Sequence, residues 1–541
     1  MMMRRFLLWW DVRRLAVALL FVGLFAMAIR APADTDTWWH LQAGRWTVDQ
    51  ARVLQTDYFS HTRYGSPWVN HSWLSQVLMY LLFEHFSYAG LGLWMGAVIV
   101  VSFALVYPQM EGDPFTRAFI LVIAAATSSV IWVARPQLLS FLLTAAVAYV
   151  LYLYKWRRVN RLWLLPPIMV LWVNLHAGYA LGYMLLVAFV AGEVVNHVLA
   201  WLAPDEAALD APRCPPVSWR RLAWVVGFAL LSLLLLVINP NTTRMWVYYL
   251  DTVSVGVLQD FIQEWQSPNF HPLYAQPFIW VLLATLGAMG LSGRRVDGTD
   301  LATLAMFSYA ALMAGRNLGP FALVAAPVLS RHVAAALKRW GISRRPRPPG
   351  SARSRMVLGG INLALLAIAI LLALLKVWSP LGAAFNEQLQ RESLPAGAVE
   401  WIQENRPAGR MFNHYNWGGY LIWRLWPDYL VFVDGRTDLY GDQVLRDYLE
   451  IQRGGPQALA LLDHYDVYFV LTPTGDGLCT LLSCQQDWTV AYRDEMATIW
   501  VRNGEDVTEK ETGDETDRSD HSIGHRHPAV AHLRTAAGQV L

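Results

Sequence analysis

The feature that most limits what this chain can become is its series of long apolar runs. A backbone in hydrocarbon has no water to bond, so a spanning segment must be a helix or part of a closed barrel. A helix needs roughly 20 apolar residues to cross a core about 30 Å thick, fewer where its ends snorkel. Such runs fall at 15–29, 89–107, 117–133, 137–154, 162–174, 179–200, 222–238, 276–292, 300–314, 318–337 and 357–377. That makes about eleven spans. Composition agrees, since 55% of the 541 residues are hydrophobic and 16% charged, against about 25% charged in soluble chains. The expected fold class is therefore a polytopic α-helical membrane protein. A net charge of +2 gives a polyanion little to bind, which argues against nucleic acid as a partner. The 26 tryptophans suit residues lying at bilayer interfaces among membrane lipids. No small-residue cleavage site follows the first run, so it reads as a retained span. The stretch 73–83 is too short to cross and is expected as an interfacial helix.

Positive loops stay in the cytoplasm, and Lys and Arg gather on one side of these spans. With the N-terminus inside, the cytoplasmic segments hold Arg4, Arg5, Arg13 and Arg14, then Lys155 with Arg157, Arg158 and Arg161, and a last cluster from Arg331 to Arg355. An odd span count then puts everything past residue 378 outside the cytoplasm, in a multi-pass protein of the plasma (inner) membrane. Three regions follow: a transmembrane domain over 1–378 whose first outer loop (30–88) carries interfacial helices, an extracytoplasmic α/β domain over 379–502, and a disordered tail over 503–541. Within the second, Pro395–Asn405, Trp417–Leu425, Val444–Gln452 and Gln457–His464 read as helices. Arg410–His414, Tyr429–Val433 and Val467–Leu471 read as strands, and Thr489–Arg493 with Ala497–Val501 as a hairpin, giving a partly parallel sheet. Of the three cysteines, Cys214, Cys479 and Cys484, the last two lie close enough for a local bridge on an oxidising side.

The unusual polar residues all fall on the outer side. The first outer loop holds Asp34, Asp36, His40 and His71; Arg135 stands between the third and fourth spans; Asn174 and His176 end the fifth; Glu264 lies in a long loop; Arg316 ends the ninth. One arginine at a span end snorkels to headgroups and one histidine caps a helix without further meaning, but ionisable groups gathered at one membrane depth mark a polar cavity. Two cations beside acids suit a substrate with an anionic phosphate and a hydroxyl to be deprotonated. Asp36, with Asp34 as the alternative, is the expected general base. Arg316, helped by Arg135, is expected to hold the phosphate, with His40, His71, His176, Asn174 and Glu264 lining the rest. The spacing of the acids matches no local metal motif, which leaves a divalent metal open.

The runs Asp36-Thr-Trp-Trp-His-Leu-Gln-Ala-Gly-Arg, Trp68-Val-Asn-His-Ser-Trp-Leu-Ser-Gln, Trp172-Val-Asn-Leu-His-Ala-Gly and Gly418-Gly-Tyr-Leu-Ile-Trp with Asp434-Gly-Arg-Thr-Asp-Leu-Tyr-Gly give the chain its resemblance to a family. An acid just past the first span, many spans and a C-terminal outer domain resemble the GT-C superfamily of integral membrane glycosyltransferases, in an uncharacterised bacterial branch. Tyr415-Asn-Trp-Gly-Gly-Tyr is also distantly similar to the acceptor-recognition motif of oligosaccharyltransferase catalytic subunits, although Asn416 and Trp417 stand where those carry an acid. The resemblance implies transfer of a sugar from a polyprenyl-phosphate-linked donor to a glycan, lipid or protein acceptor outside the cytoplasm. The sequence keeps two rivals: a transporter or flippase of a lipid-linked substrate, and a non-catalytic assembly protein on the same scaffold.

Overall fold

The computed structural model describes residues 2–202, 215–253, 256, 262–342 and 351–503. The expected tail past residue 503, Cys214 and part of the Arg331–Arg355 cluster lie outside the described residues. Met1–Arg502 form one compact unit, mostly helical, with one small sheet near the C-terminal end.

All eleven expected span segments are helical. Seven are long and apolar enough to cross a membrane: Trp73–Gln109, Pro114–Ile131, Gln137–Lys155, Ala177–Leu202, Trp219–Val237, Gly315–Arg339 and Ala352–Leu381. Four are shorter: Val12–Ala28, Leu162–Leu175, Gln276–Leu291 and Gly298–Met313. The stretch expected as an interfacial helix runs into the span after it, and the two pieces meet at Ser87, where φ is 52°.

Charges inside the bundle are paired, as burial demands. Lys155 Nζ lies 2.6 Å from Glu193 and 2.5 Å from Asp297, and Arg331 grips Asp300 through two nitrogens. These contacts tie the helices carrying Lys155, Glu193, Asp300 and Arg331 together at one end of the bundle. The polar residues singled out above gather elsewhere, where those helices turn.

The sheet has strand order β1-β2-β4-β3, with β1 Arg410–Asn413 parallel to β2 Val467–Pro473, and β4 Ala497–Arg502 antiparallel to β2 and to β3 Trp488–Arg493. Alternate strand residues serve two cores. Met411, Phe469, Leu471 and Ile499 join the core of the helical bundle. Phe412, Val470 and Trp500 join a second core with Phe432, Tyr440 and Leu478. Trp38 fastens the helix Thr37–Asp49, which lies in the expected first outer loop and is called the outer-loop helix below, to the helix Gly418–Leu425, with its ring 5.9 Å from Tyr420 and 6.3 Å from Phe83. Each such aromatic pair contributes about 0.5–1.5 kcal/mol beyond area burial.

Two expectations are corrected. Tyr429–Val433 is not a ladder strand: Val431 makes a single bridge to Ser60 in the first outer loop, and the side chain of Asn413 serves its neighbours, accepting from Phe432 N and donating to Val433 O. A side chain takes the place of a strand partner. Nor are Cys479 and Cys484 bridged; both are free. Cys479 sits in an unforeseen helix, Gly477–Ser483, capped by Asp476, and its Sγ accepts from Trp500 Nε1 in the core, while Cys484 is exposed.

Candidate active site

A cavity of about 940 Å³ lies where the outer-loop helix, the ends of several bundle helices and the segment Gly435–Asp438 meet. Asp36, His40, His71, Arg135, His176, Glu264 and Arg316 line it. Asp34 and Asn174 stand behind the wall. Asn174 donates to Val170 O and Ile238 O and accepts from Trp73 Nε1, bonds that hold helix ends together and leave it nothing to offer a ligand.

The turn at Ala134–Arg135 is pinned to the start of the outer-loop helix, because Thr37 Oγ1 donates to Ala134 O at 3.0 Å. That bond sets Arg135 against Asp36, one residue before Thr37, and Asp34, three before. Its Nε pairs with Asp34, and its Nη1 lies 3.2 Å from Asp36 and 2.8 Å from Glu264. Asp34 also accepts from Asp36 N at 2.9 Å, so it orients its neighbour from behind. Burial pushes the Asp36 carboxyl up to about 6; Arg135 works against this, and Asp34 and Glu264 add to it. Burial opposes the charge of Arg135, but Asp36, Asp34 and Glu264 more than offset it and keep the guanidinium protonated well above its ordinary range. Among the described residues no three His, Cys, Asp or Glu side chains are grouped so as to hold a metal ion.

The other cation differs. Among the described residues Arg316 has no carboxylate partner within ion-pair distance, and its guanidinium lies over the Trp265 ring, 4.3 Å from the centroid. One short turn, Gln263–Trp265, thus sends consecutive side chains to the two arginines: Glu264 to Arg135 and Trp265 to Arg316.

The three histidines carry hydrogen-bonding capacity rather than charge. Burial holds His40, His71 and His176 below the usual imidazole range; Arg135 adds to this for His40, and His71 and Arg316 add to it for His176. Only His71 has an acid opposing the shift, Asp438. The Tyr248 hydroxyl donates to Asp438 at 2.9 Å and lies 2.8 Å from His71 Nδ1. His176 Nδ1 accepts from Gly178 N and lies 2.8 Å from Ser140 Oγ, which accepts from Trp172 Nε1.

One wall is apolar. Leu181, Met184, Met306, Tyr309 and Met313 line it, and Tyr309 and Met313 are 67% and 52% exposed. This wall is therefore open and not sealed in the core.

Trp265 stands out in sequence beside Glu264, without a role, but Tyr248 and Ser140 do not, since nothing local distinguishes them. The string Asp434-Gly-Arg also stands out without a role. Arg436 donates to both oxygens of Asp434, at 2.8 and 2.6 Å, and to Asp57 at 2.7 Å, all fully buried. Gly435 between them touches the acid: a Cβ there would stand 2.0 Å from Asp36 Oδ1.

No protein-family model matches this chain, and no curated protein matches it. In fold it is similar to the oligosaccharyltransferase of Archaeoglobus fulgidus, seen in a crystal structure tethered with an acceptor peptide containing the NVT sequon, with a TM-score of 0.51 and 14% identity over 86% of this chain and 70% of that one. The apo form of the same protein gives 0.48 and 13% over the same shares. The arabinofuranosyltransferase AftD from Mycobacteria gives 0.45 and 15% over 92% of this chain and 42% of that one. The likeness to the Archaeoglobus fulgidus protein is one of fold.

Proposed function

We propose that this chain is a membrane glycosyltransferase that moves a sugar from a polyprenyl-phosphate-linked donor to an acceptor hydroxyl outside the cytoplasm. The observation that carries the reading is the composition of one cavity. A carboxyl lifted to about 6 lines it together with an arginine that has no carboxylate partner among the described residues, beside an apolar wall with exposed side chains. Asp36 takes the proton of the acceptor hydroxyl, whose oxygen attacks the anomeric carbon. The bond from that carbon to the phosphate oxygen breaks, and polyprenyl phosphate departs as an anion. Arg316 holds that phosphate, and the lipid tail passes out along Met306, Tyr309 and Met313. Neutral His71 and His176 then meet sugar hydroxyls between the two ends. Arg135, already surrounded by carboxylates, serves the acid end rather than the phosphate.

The spans number about eleven on this reading, the N-terminus is cytoplasmic and residues past 378 lie outside. A cysteine placed at exposed Asp442 should react with an impermeant reagent on intact cells. Labelling only after permeabilisation would reverse the orientation.

The direct test is transfer of radiolabel from polyprenyl-phosphate sugars by the purified chain in lipid nanodiscs. A transporter would move the same lipid between leaflets without consuming it, so retention of label on the lipid separates that rival. Charge-assisted hydrogen bonds contribute about 1.5–3 kcal/mol, so Arg316→Ala should weaken donor binding roughly ten- to hundred-fold. Lys offers a point charge in place of a planar fork, and Arg316→Lys should recover part of the loss. Unchanged donor titration by Arg316→Ala would place the phosphate elsewhere.

A further inference from the structure

We infer that the guanidinium of Arg135 is the resident cation of the Asp34–Asp36–Glu264 cluster, and that sugar transfer proceeds with no divalent metal at these carboxylates. The inference rests on the glycosyltransfer reading for its activity arm and on the geometry of the cluster for everything else.

A hard divalent cation gathers oxygens around one point, at about 2.0–2.6 Å. The carboxylates of this cluster are arranged around a planar group instead. Asp34 meets Nε, on one edge of the guanidinium, while Asp36 and Glu264 share Nη1 at 3.2 and 2.8 Å. Nε–H and the Nη1 hydrogens point to different sides of the plane, so Asp34 is set apart from the two acids at Nη1. The three do not meet at one point, and no group of three metal-ligating side chains exists among the described residues. The carboxylates do not fit a metal while Arg135 is in place.

Arg135 is also held there by more than its charge. Arg135 N donates to Val133 O at 2.8 Å and Leu138 N donates to Arg135 O at 3.1 Å. The neighbouring carbonyl of Ala134 is fixed by Thr37, the residue after Asp36. The backbone that presents the guanidinium and the backbone that presents the base are thereby fastened to each other. The Arg135 side chain is only 15% exposed, and those of Asp34 and Asp36 are 13% and 21%. Acids this buried need a counter-charge, and guanidinium supplies one that no accessible pH removes. Its single charge, shared among three acids, leaves Asp36 basic enough to take a proton, which a divalent ion at the same oxygens would oppose. Arg135 is thus a positioning residue that sets the direction and basicity of Asp36.

The test uses the full chain in nanodiscs and Mn²⁺ as the probe, read by electron paramagnetic resonance. The parent should bind no Mn²⁺ that Asp36→Asn abolishes, and transfer should survive exhaustive chelation. Arg135→Ala, with Arg135→Lys as the second variant should Ala fail to fold, should lose about 10²-fold in transfer, the scale of a misplaced catalytic group. Millimolar guanidinium should restore part of the Ala variant's activity where sodium at equal ionic strength does not. Mn²⁺ bound to the parent through Asp36, or transfer lost on chelation and regained with Mn²⁺, would overturn the inference. So would a folded Arg135→Ala that guanidinium fails to rescue. The resonance arm needs no donor, so it decides the cation question even where every donor tried fails to react, an outcome that counts against the glycosyltransfer reading instead.

Discussion

Asp36→Asn is expected to lower sugar transfer by about 10²–10⁴-fold, the usual worth of general-base assistance, while leaving donor binding in place. Asn keeps the shape and removes the lone pair that takes the proton. The same assignment fixes a pH dependence. The Asp36 carboxyl is raised to about 6, chiefly by burial, and a base works only when ionised. Transfer by the parent should therefore be level above that value and fall about tenfold per unit as pH drops below it. Asp34→Asn should hurt less, since Asp34 only accepts from Arg135 and from Asp36 N. Gly435→Ala provides an independent arm. Its new Cβ would stand 2.0 Å from Asp36 Oδ1 and 2.7 Å from Cγ, so either the carboxyl or the Gly435 segment must move. Displacing a catalytic group by about 1 Å can cost about 10²-fold, and a loss of that order is expected with the acid still present. Full transfer by Asp36→Asn, or a pH profile flat down to 4, would take this carboxyl out of the reaction.

What the sequence disclosed of this arrangement follows the range of the physics involved. Apolar runs are local, and each is helical, the form in which a backbone satisfies its own polar groups. The four shorter helices show the limit of that signal: Gly298–Met313 is 16 residues long, and length alone does not set how it meets a bilayer. The ends of helices were legible too, so the histidines and arginines that face the cavity could be named. Their partners could not. Arg135 reaches Asp34 and Glu264 across 101 and 129 residues, and from the chain alone a second phosphate clamp was the simpler reading of that arginine. Tyr429–Val433 failed for a related reason. Val431, Phe432 and Val433 are buried like a strand's residues, but loop backbone and the side chains of Asn413 and Thr62 satisfy them instead of a ladder. Asp434-Gly-Arg was visible as an unusual string, yet only the fold shows that the glycine is needed to let a loop touch Asp36.

Arg436→Ala should destabilise the chain by about 3–5 kcal/mol, the cost of breaking a buried ion pair by removing one partner. Arg436, Asp434 and Asp57 are fully buried, and the Tyr440 hydroxyl donates to Asp434 at 2.5 Å. Burial opposes the guanidinium charge, but Asp434 and Asp57 outweigh it and hold the group protonated well above its usual range. Removing it strands two carboxylates with no counter-ion. Carboxyls left that way titrate upward, so the folded variant binds protons more readily than its unfolded chain. Its deficit should accordingly shrink as pH falls. Arg436→Lys returns one charge without the fork that spans both acids and should recover part of the loss. Denaturant unfolding in detergent, read as a midpoint at constant slope, measures all three proteins at neutral and acid pH. A deficit below about 1 kcal/mol, no more than one ordinary hydrogen bond, would mean that water reaches these acids once the arginine is gone. The expected loss also bears on the site. Asp57 belongs to the first outer loop, and Asp434 and Arg436 flank the glycine that touches Asp36. The same ion pairs that hold the two segments together therefore place the wall against the base, so transfer should fail in Arg436→Ala at temperatures where the bundle is still folded.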